Sequence, residues 1–177
     1  MKNKKSKTKE ILFKSTTKGK NINVLVSLPS DYKKSKLPGL TAWVTALNSG
    51  NYRQNASSLC EKLSTGKLGY CCLGVLSKTQ GRLIPYPSSK YKKGDGTDVC
   101  NLDEHYLASD NPVFNILGSS GDLPKGVFVN VYNKKELEID GTPVFHYDDA
   151  KSLIALNDDL NLSFKDIAKV LKLLYKP

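Results

Sequence analysis

An α+β fold is what this 177-residue sequence predicts, as a single domain with a small antiparallel sheet packed against several helices and closed by a C-terminal helix pair. Three observations lead there. "INVLVSL" (residues 22–28) places Ile22, Val24, Val26 and Leu28 on one face and Asn23, Leu25 and Ser27 on the other, which is strand periodicity. "LTAWVTALN" (residues 40–48) instead repeats Leu40, Trp43, Val44 and Leu47 at helical spacing. Strands then return before a final pair of helices, an order that fits segregated helices and sheet rather than a doubly wound parallel sheet.

The N-terminal strand is preceded by "ILFK", and Lys18-Gly19-Lys20 supplies a turn, so a hairpin is expected there. Pro29 ends the pairing because proline offers no ladder N–H. After the tryptophan helix and its stop at Gly50, "NASSLCEKLSTG" (residues 55–66) repeats a helical stripe of Ala56, Leu59, Cys60 and Leu63. "LGYCCLGVLSKTQG" (residues 68–81) is apolar nearly all round and then polar, which predicts a buried helix of about three turns. Gly74 within it lowers helix propensity by roughly 1 kcal/mol and signals a close neighbour, for which the tryptophan helix is the candidate.

Residues 82–125 are rich in Pro, Gly, Ser and Asn and suit an irregular excursion or lid, with "DEHYLAS" as a helical turn. "GVFVNVY" restores period two, and "ELEIDGTPVFHY" reads as two further strands joined at Asp140-Gly141. "DAKSLIALND" predicts a short helix capped by Asp148 or Asp149. In "LSFKDIAKVLKLLYK", Ser163 and Asp166 form a capping box, Leu162 and Ile167 a hydrophobic staple, and Phe164, Ile167, Ala168, Leu171, Leu174 and Tyr175 the buried stripe.

Composition narrows the function classes. The chain is 39% hydrophobic and 25% charged, with no apolar run near the roughly 18 to 20 residues of a membrane span. "MKNKKSKTKE" lacks the apolar core and cleavage site of a secretory signal, so a cytoplasmic setting is expected. Formal net charge is +10, yet residues 1–36 hold 11 lysines against Glu10 and Asp31, which leaves the rest at +1. Residues 1–10 therefore read as a basic flexible leader and residues 11–177 as the domain. Such an arm attracts nucleic acid weakly and in a salt-dependent way.

The four cysteines, Cys60, Cys71, Cys72 and Cys100, have no zinc-type spacing with His105 or His146, so no metal or cofactor is expected. Adjacent Cys71 and Cys72 are too close along the chain to bond readily to each other, and a cytosolic setting predicts reduced thiols. Cys60 reads as a small core residue.

Three blocks, "AWVTALNSGNYRQNASSL", "YCCLGVL" and "LIALNDDLNLSFKDIAKVL", resemble a family of small proteins encoded by bacteriophages and prophages. That family's pattern is W-x-x-A-L-x-S-G-x-Y-x-Q, C-C-L-G-V-L and L-N-D followed by S-F-x-x-I-A. The resemblance implies a phage accessory protein acting in the cytoplasm of a bacterial host, and it implies no particular chemistry. Many relatives carry another cysteine shortly after the second block, where this chain has Ser77. A shared three-cysteine chemistry is therefore not implied.

Two places invite a functional reading. Ser49, Tyr52, Arg53 and Gln54 assemble a hydroxyl, an aromatic face, a guanidinium and an amide within six residues. This set suits an anionic, ring-bearing ligand such as a nucleotide; capping and packing of a turn is an equally good account. Cys71 or Cys72 with His146 offers the rival of a cysteine hydrolase or transferase, but no nucleophile signature surrounds the thiols and a core role is favoured. The sequence thus points more to binding than to catalysis, with a small anionic ligand or a host protein as partner, sequestration of a bacterial defence signal being one form of it.

Overall fold

The computed structural model describes residues 8–17, 20–56, 58–81, 99–100, 112–118, 121–132 and 150–177. The N-terminal hairpin pairs β1 (Thr8–Thr17) with β2 (Lys20–Pro29), from Thr8 opposite Pro29 to Thr17 opposite Lys20. Strand β1 therefore takes in Thr8, Lys9 and Glu10, so the segment read as leader is at least three residues shorter than expected. Pairing begins there because Lys9 and Glu10 lie opposite Leu28 and Ser27 of β2.

Beyond β2 lies a third antiparallel strand (Phe128–Tyr132), numbered β8 below in chain order. Its register stacks Phe13, Val24 and Val131, then Ile11, Val26 and Val129, on one face. Val24, Val26 and Val129 are fully buried there, whereas Leu12 on the other face is 55% exposed. The period-two pattern of "INVLVSL" thus does what it predicts: one face meets the core and one meets water.

Between the sheet strands come β3 (Ser35–Lys36), α1 (Leu40–Asn48), β4 (Arg53–Gln54), β5 (Cys60–Lys62), β6 (Leu68–Tyr70), α2 (Cys72–Thr79), β7 (Val99–Cys100) and α3 (Pro112–Leu117). After β8 follow α4 (Leu153–Asp158), α5 (Phe164–Leu174) and β9 (Tyr175–Lys176). Helix α1 buries Leu40, Trp43, Val44 and Leu47, as its spacing predicts, and packs on α5 and α2. The Trp43 indole N–H donates to the Cys72 carbonyl at 2.9 Å, so the only tryptophan fills the core without leaving a polar atom unpaired.

Helix α5 follows its sequence closely. Ser163 is the N-cap, its hydroxyl accepting from Asp166 N at 3.3 Å and donating to the Asp166 carboxylate at 2.5 Å. Leu162 and Ile167 are both fully buried as the staple. Asp166 is itself 2% exposed, and the Ser15 hydroxyl on β1 also donates to it while Lys169 Nζ lies at 3.0 Å. One carboxylate therefore caps a helix and ties that helix to the first strand. The chain end is fastened a second time, where β9 runs parallel to β3 and Tyr32 Oη donates to the Leu174 carbonyl at 2.7 Å.

Three expectations need correction. The helix expected over residues 55–66 is absent; β4, β5, β6 and β7 form a mixed four-stranded sheet in the order β4-β6-β5-β7. Local bonds explain why. Asn55 Nδ2 donates to Ser58 Oγ, which donates to Glu61, and Leu63 to Gly66 form a turn with Gly66 at φ +77°. These short-range side-chain bonds and the Leu63–Gly66 turn, together with the pairing of β5 with β6, hold the segment out of a helix. Helix α2 consequently starts at Cys72, because Leu68–Tyr70 are spent on pairing with β5. Helix α4 is capped by Ser152, whose hydroxyl accepts from Ala155 N at 3.1 Å, rather than by Asp148 or Asp149. The strands expected in "ELEIDGTPVFHY" and the turn in "DEHYLAS" lie outside the described residues.

Candidate functional site

The predicted ligand set disperses. Ser49 Oγ donates to the Ala46 carbonyl at 2.7 Å and accepts from Asn51 N at 3.1 Å, closing α1. Tyr52 is half-buried and meets the Tyr70 ring edge-on, with centroids 5.4 Å apart. Arg53 and Gln54 are successive residues of β4, so they leave opposite faces of the strand. Gln54 Nε2 donates to Asn157 Oδ1 at 3.0 Å and to the Leu162 carbonyl at 2.7 Å, while Arg53 is exposed. Guanidinium and amide therefore do not converge on one ligand.

What Gln54 joins is a polar knot. Asn157 is 2% exposed, and its Nδ2 donates to the Asn55 carbonyl at 2.8 Å and to Asp158 Oδ1 at 2.6 Å. The knot links the bend between α4 and α5 to strand β4, and it lies near enough to Cys71 for the Asp158 charge to act on that thiol. The three sequence blocks meet here.

Cys71 is the N-cap of α2, its Sγ accepting from Gly74 N at 3.4 Å. A helix N-terminus favours a thiolate, but burial is the larger effect and pushes the Cys71 thiol up to about 11. Cys72 is fully buried, donates to the Leu153 carbonyl at 3.5 Å, and is held well above the ordinary thiol range, chiefly by burial. Both thiols are neutral near pH 7. His105 and His146 lie outside the described residues.

Gly74 has the close neighbour its position signals, but the neighbour is not the tryptophan helix. A Cβ on Gly74 would fall on the Leu59 carbonyl, 2.6 Å from its carbon. Ser77, also fully buried, donates to the Leu73 carbonyl at 2.9 Å. Cys60 is buried as expected, yet it is held in a disulfide, which corrects the expectation of reduced thiols throughout.

A concave site lies elsewhere, between α1 and the end of the chain. The cleft has a volume of about 340 Å³ and is lined by Lys34, Leu40, Thr41, Val44, Thr45, Lys172, Tyr175, Lys176 and Pro177. Leu40, Val44 and Tyr175 are buried and form an apolar floor; the three lysines are exposed at its rim. Lys34 Nζ also donates to the Lys172 carbonyl at 2.5 Å, satisfying one of the carbonyls that the last turn of α5 leaves unpaired. Sequence reading missed this site because its walls are brought together by the parallel pairing of β3 with β9, which no local pattern announces. The nearest signal is the spacing of Lys172 and Lys176.

Among the described residues, no group of three or more His, Cys, Asp or Glu is placed to hold a metal ion, and no helix is long and apolar enough to cross a membrane. The model of the family described as "Domain of unknown function (DUF8296)" matches residues 39–174, which span α1 to the end of α5. No curated protein and no solved structure matches the chain.

Proposed function

The chain belongs to the DUF8296 family, and from that premise and its own residues we propose that it is a non-catalytic binding protein for a small anionic ligand with an apolar or ring-bearing part, seated in the cleft between α1 and β9. The observation that carries this reading is the cleft itself: Lys34, Lys172 and Lys176 surround a floor of Leu40, Val44 and Tyr175. Few polar groups around an apolar floor are the usual anatomy of a small-molecule site, and lysine supplies point charges for phosphate. Thr41 and Thr45 add hydroxyls on the α1 wall.

A nucleotide-like ligand satisfies both halves of that chemistry. The resemblance to phage-encoded proteins supports a setting in a bacterial host and, with it, capture of a nucleotide signal. The cysteine-hydrolase alternative has Cys71 at a helix start in its favour, but a buried thiol pushed up to about 11 is a poor nucleophile near neutrality. The alternative of nucleic-acid binding rests on the leader, residues 1–10, of which 1–7 lie outside the described residues and Thr8, Lys9 and Glu10 belong to β1.

Calorimetry of the full chain against cyclic dinucleotides, ADP-ribose and inorganic phosphate tests the proposal. Binding at about 1 to 10 µM, corresponding to roughly 7 to 8 kcal/mol, is expected for one nucleotide class, weakened by salt and by Lys172→Glu with Lys176→Glu. Arg53→Glu should leave it unchanged. Loss on Arg53→Glu but not on the lysine changes would move the site to the Ser49–Gln54 segment, and absence of binding across the panel would overturn the proposal.

A further inference from the structure

Cys60 is disulfide-bonded, and Cys71 and Cys72 are both free. Of the chain's four cysteines only Cys100 remains. The backbone register places it directly opposite: Cys60 faces Cys100 across the antiparallel pair of β5 and β7, as Glu61 faces Val99. Opposed residues of antiparallel strands have Cα atoms roughly 4.5 or 5.5 Å apart, according to their hydrogen bonding. Both separations lie within the range a disulfide spans. We propose that Cys60 and Cys100 form a reducible cross-strand clamp that locks β7 onto the edge of β5.

The clamp has a mechanical consequence. Among the described residues, Cys100 and Val99 of β7 lie opposite Cys60 and Glu61 of β5, and a covalent link at the first of these pairs holds the two strands in that register. Opening the link frees the edge of β5 at Cys60 and Glu61, beside Leu59. The Leu59 carbonyl accepts from Cys71 N at 3.2 Å and abuts Gly74. The redox state of one pair is thereby connected to the packing at the start of α2.

Closing the clamp breaks two S–H bonds and forms one S–S bond. The two electrons and two protons pass to a disulfide oxidant such as glutathione disulfide, which leaves as two thiols; reduction by a dithiol runs the same exchange backward. Full burial of Cys60 shields its sulfur from exchange while β7 is in place.

The full chain, purified without reductant and equilibrated with a glutathione and glutathione disulfide buffer, is denatured and its free thiols are counted by alkylation and mass. Two alkylated cysteines are expected, rising to four after dithiothreitol, and peptide mapping should find the Cys60 peptide joined to the Cys100 peptide. Native hydrogen exchange of the β5 amides should accelerate on reduction, and the Cys60→Ser, Cys100→Ser double variant should show the fast exchange in either buffer. Four free thiols in the oxidising buffer, or a map joining Cys60 to any residue but Cys100, would overturn the proposal. Unchanged exchange at β5 on reduction would overturn the clamp's mechanical role.

Discussion

Replacing Gly74 with alanine sets two opposite effects against each other. Intrinsic helix propensity favours alanine at this position of α2 by roughly 1 kcal/mol. Against that, the added Cβ would lie 2.6 Å from the Leu59 carbonyl carbon and closer still to its oxygen. That obstacle is backbone, so no side chain can swing aside. Overpacking of this kind costs about 1 to 3 kcal/mol. Moving Leu59 away also weakens the Cys71 N to Leu59 O bond of 3.2 Å, worth roughly 1 kcal/mol. The net is a loss of about 1 to 3 kcal/mol, and the packing term decides the sign. Urea titration of the full chain, followed by emission from the fully buried Trp43, reads it directly. With a slope near 2 kcal/mol/M, the midpoint should fall by roughly 0.5 to 1.5 M. A Gly74→Ala protein with an unchanged or higher midpoint and the same slope would refute the account of α2 lying on Leu59.

Two further outcomes follow from buried groups. Burial raises the Cys71 thiol from 9.0 to about 11, so on raising the pH the unfolded chain releases its proton first. Stability attributable to this group is fully present below pH 9, declines by about 1.4 kcal/mol per pH unit from 9 to 11, and levels off above. Subtracting the profile of Cys71→Ala isolates the slope, and parallel profiles would contradict it. Asp166→Ala removes the acceptor shared by Ser15 and Ser163 and should cost roughly 2 to 3 kcal/mol. A double-mutant cycle with Ser15→Ala should show coupling, and strict additivity would mean that β1 and α5 are not joined through this carboxylate.

The elements legible in the sequence were those whose stability is written locally. Helix α5 has its cap, staple and stripe within fifteen residues, and β2 has Ile22, Val24, Val26 and Leu28 at period two. Residues 55–66 misled because Ala56, Leu59, Cys60 and Leu63 do fall at helical spacing. The deciding forces are the serine and asparagine side-chain bonds and the pairing of β5 with β6. Burial of Cys60 was legible, its bond was not, since the partner is forty positions away. The proposed site was hidden for a like reason. Lys34 and Lys172 belong to opposite ends of the described chain and meet only once β9 has paired with β3.

The bond between Ser15 and Asp166 spans 151 positions, and that distance has a meaning during synthesis. At roughly 5 to 20 residues per second, a ribosome needs about 8 to 30 s to pass from one partner to the other. The β1–β2 hairpin can close early from its own local contacts, and so can the turn of α1. Helix α1, however, packs on α5, and β1 is bonded to it through Asp166, and α5 is made last among the helices described here. For those seconds α1, which carries Trp43, lacks its α5 neighbour. A message cut short before Asp166 would release a chain in which neither α1 nor Ser15 has its partner on α5.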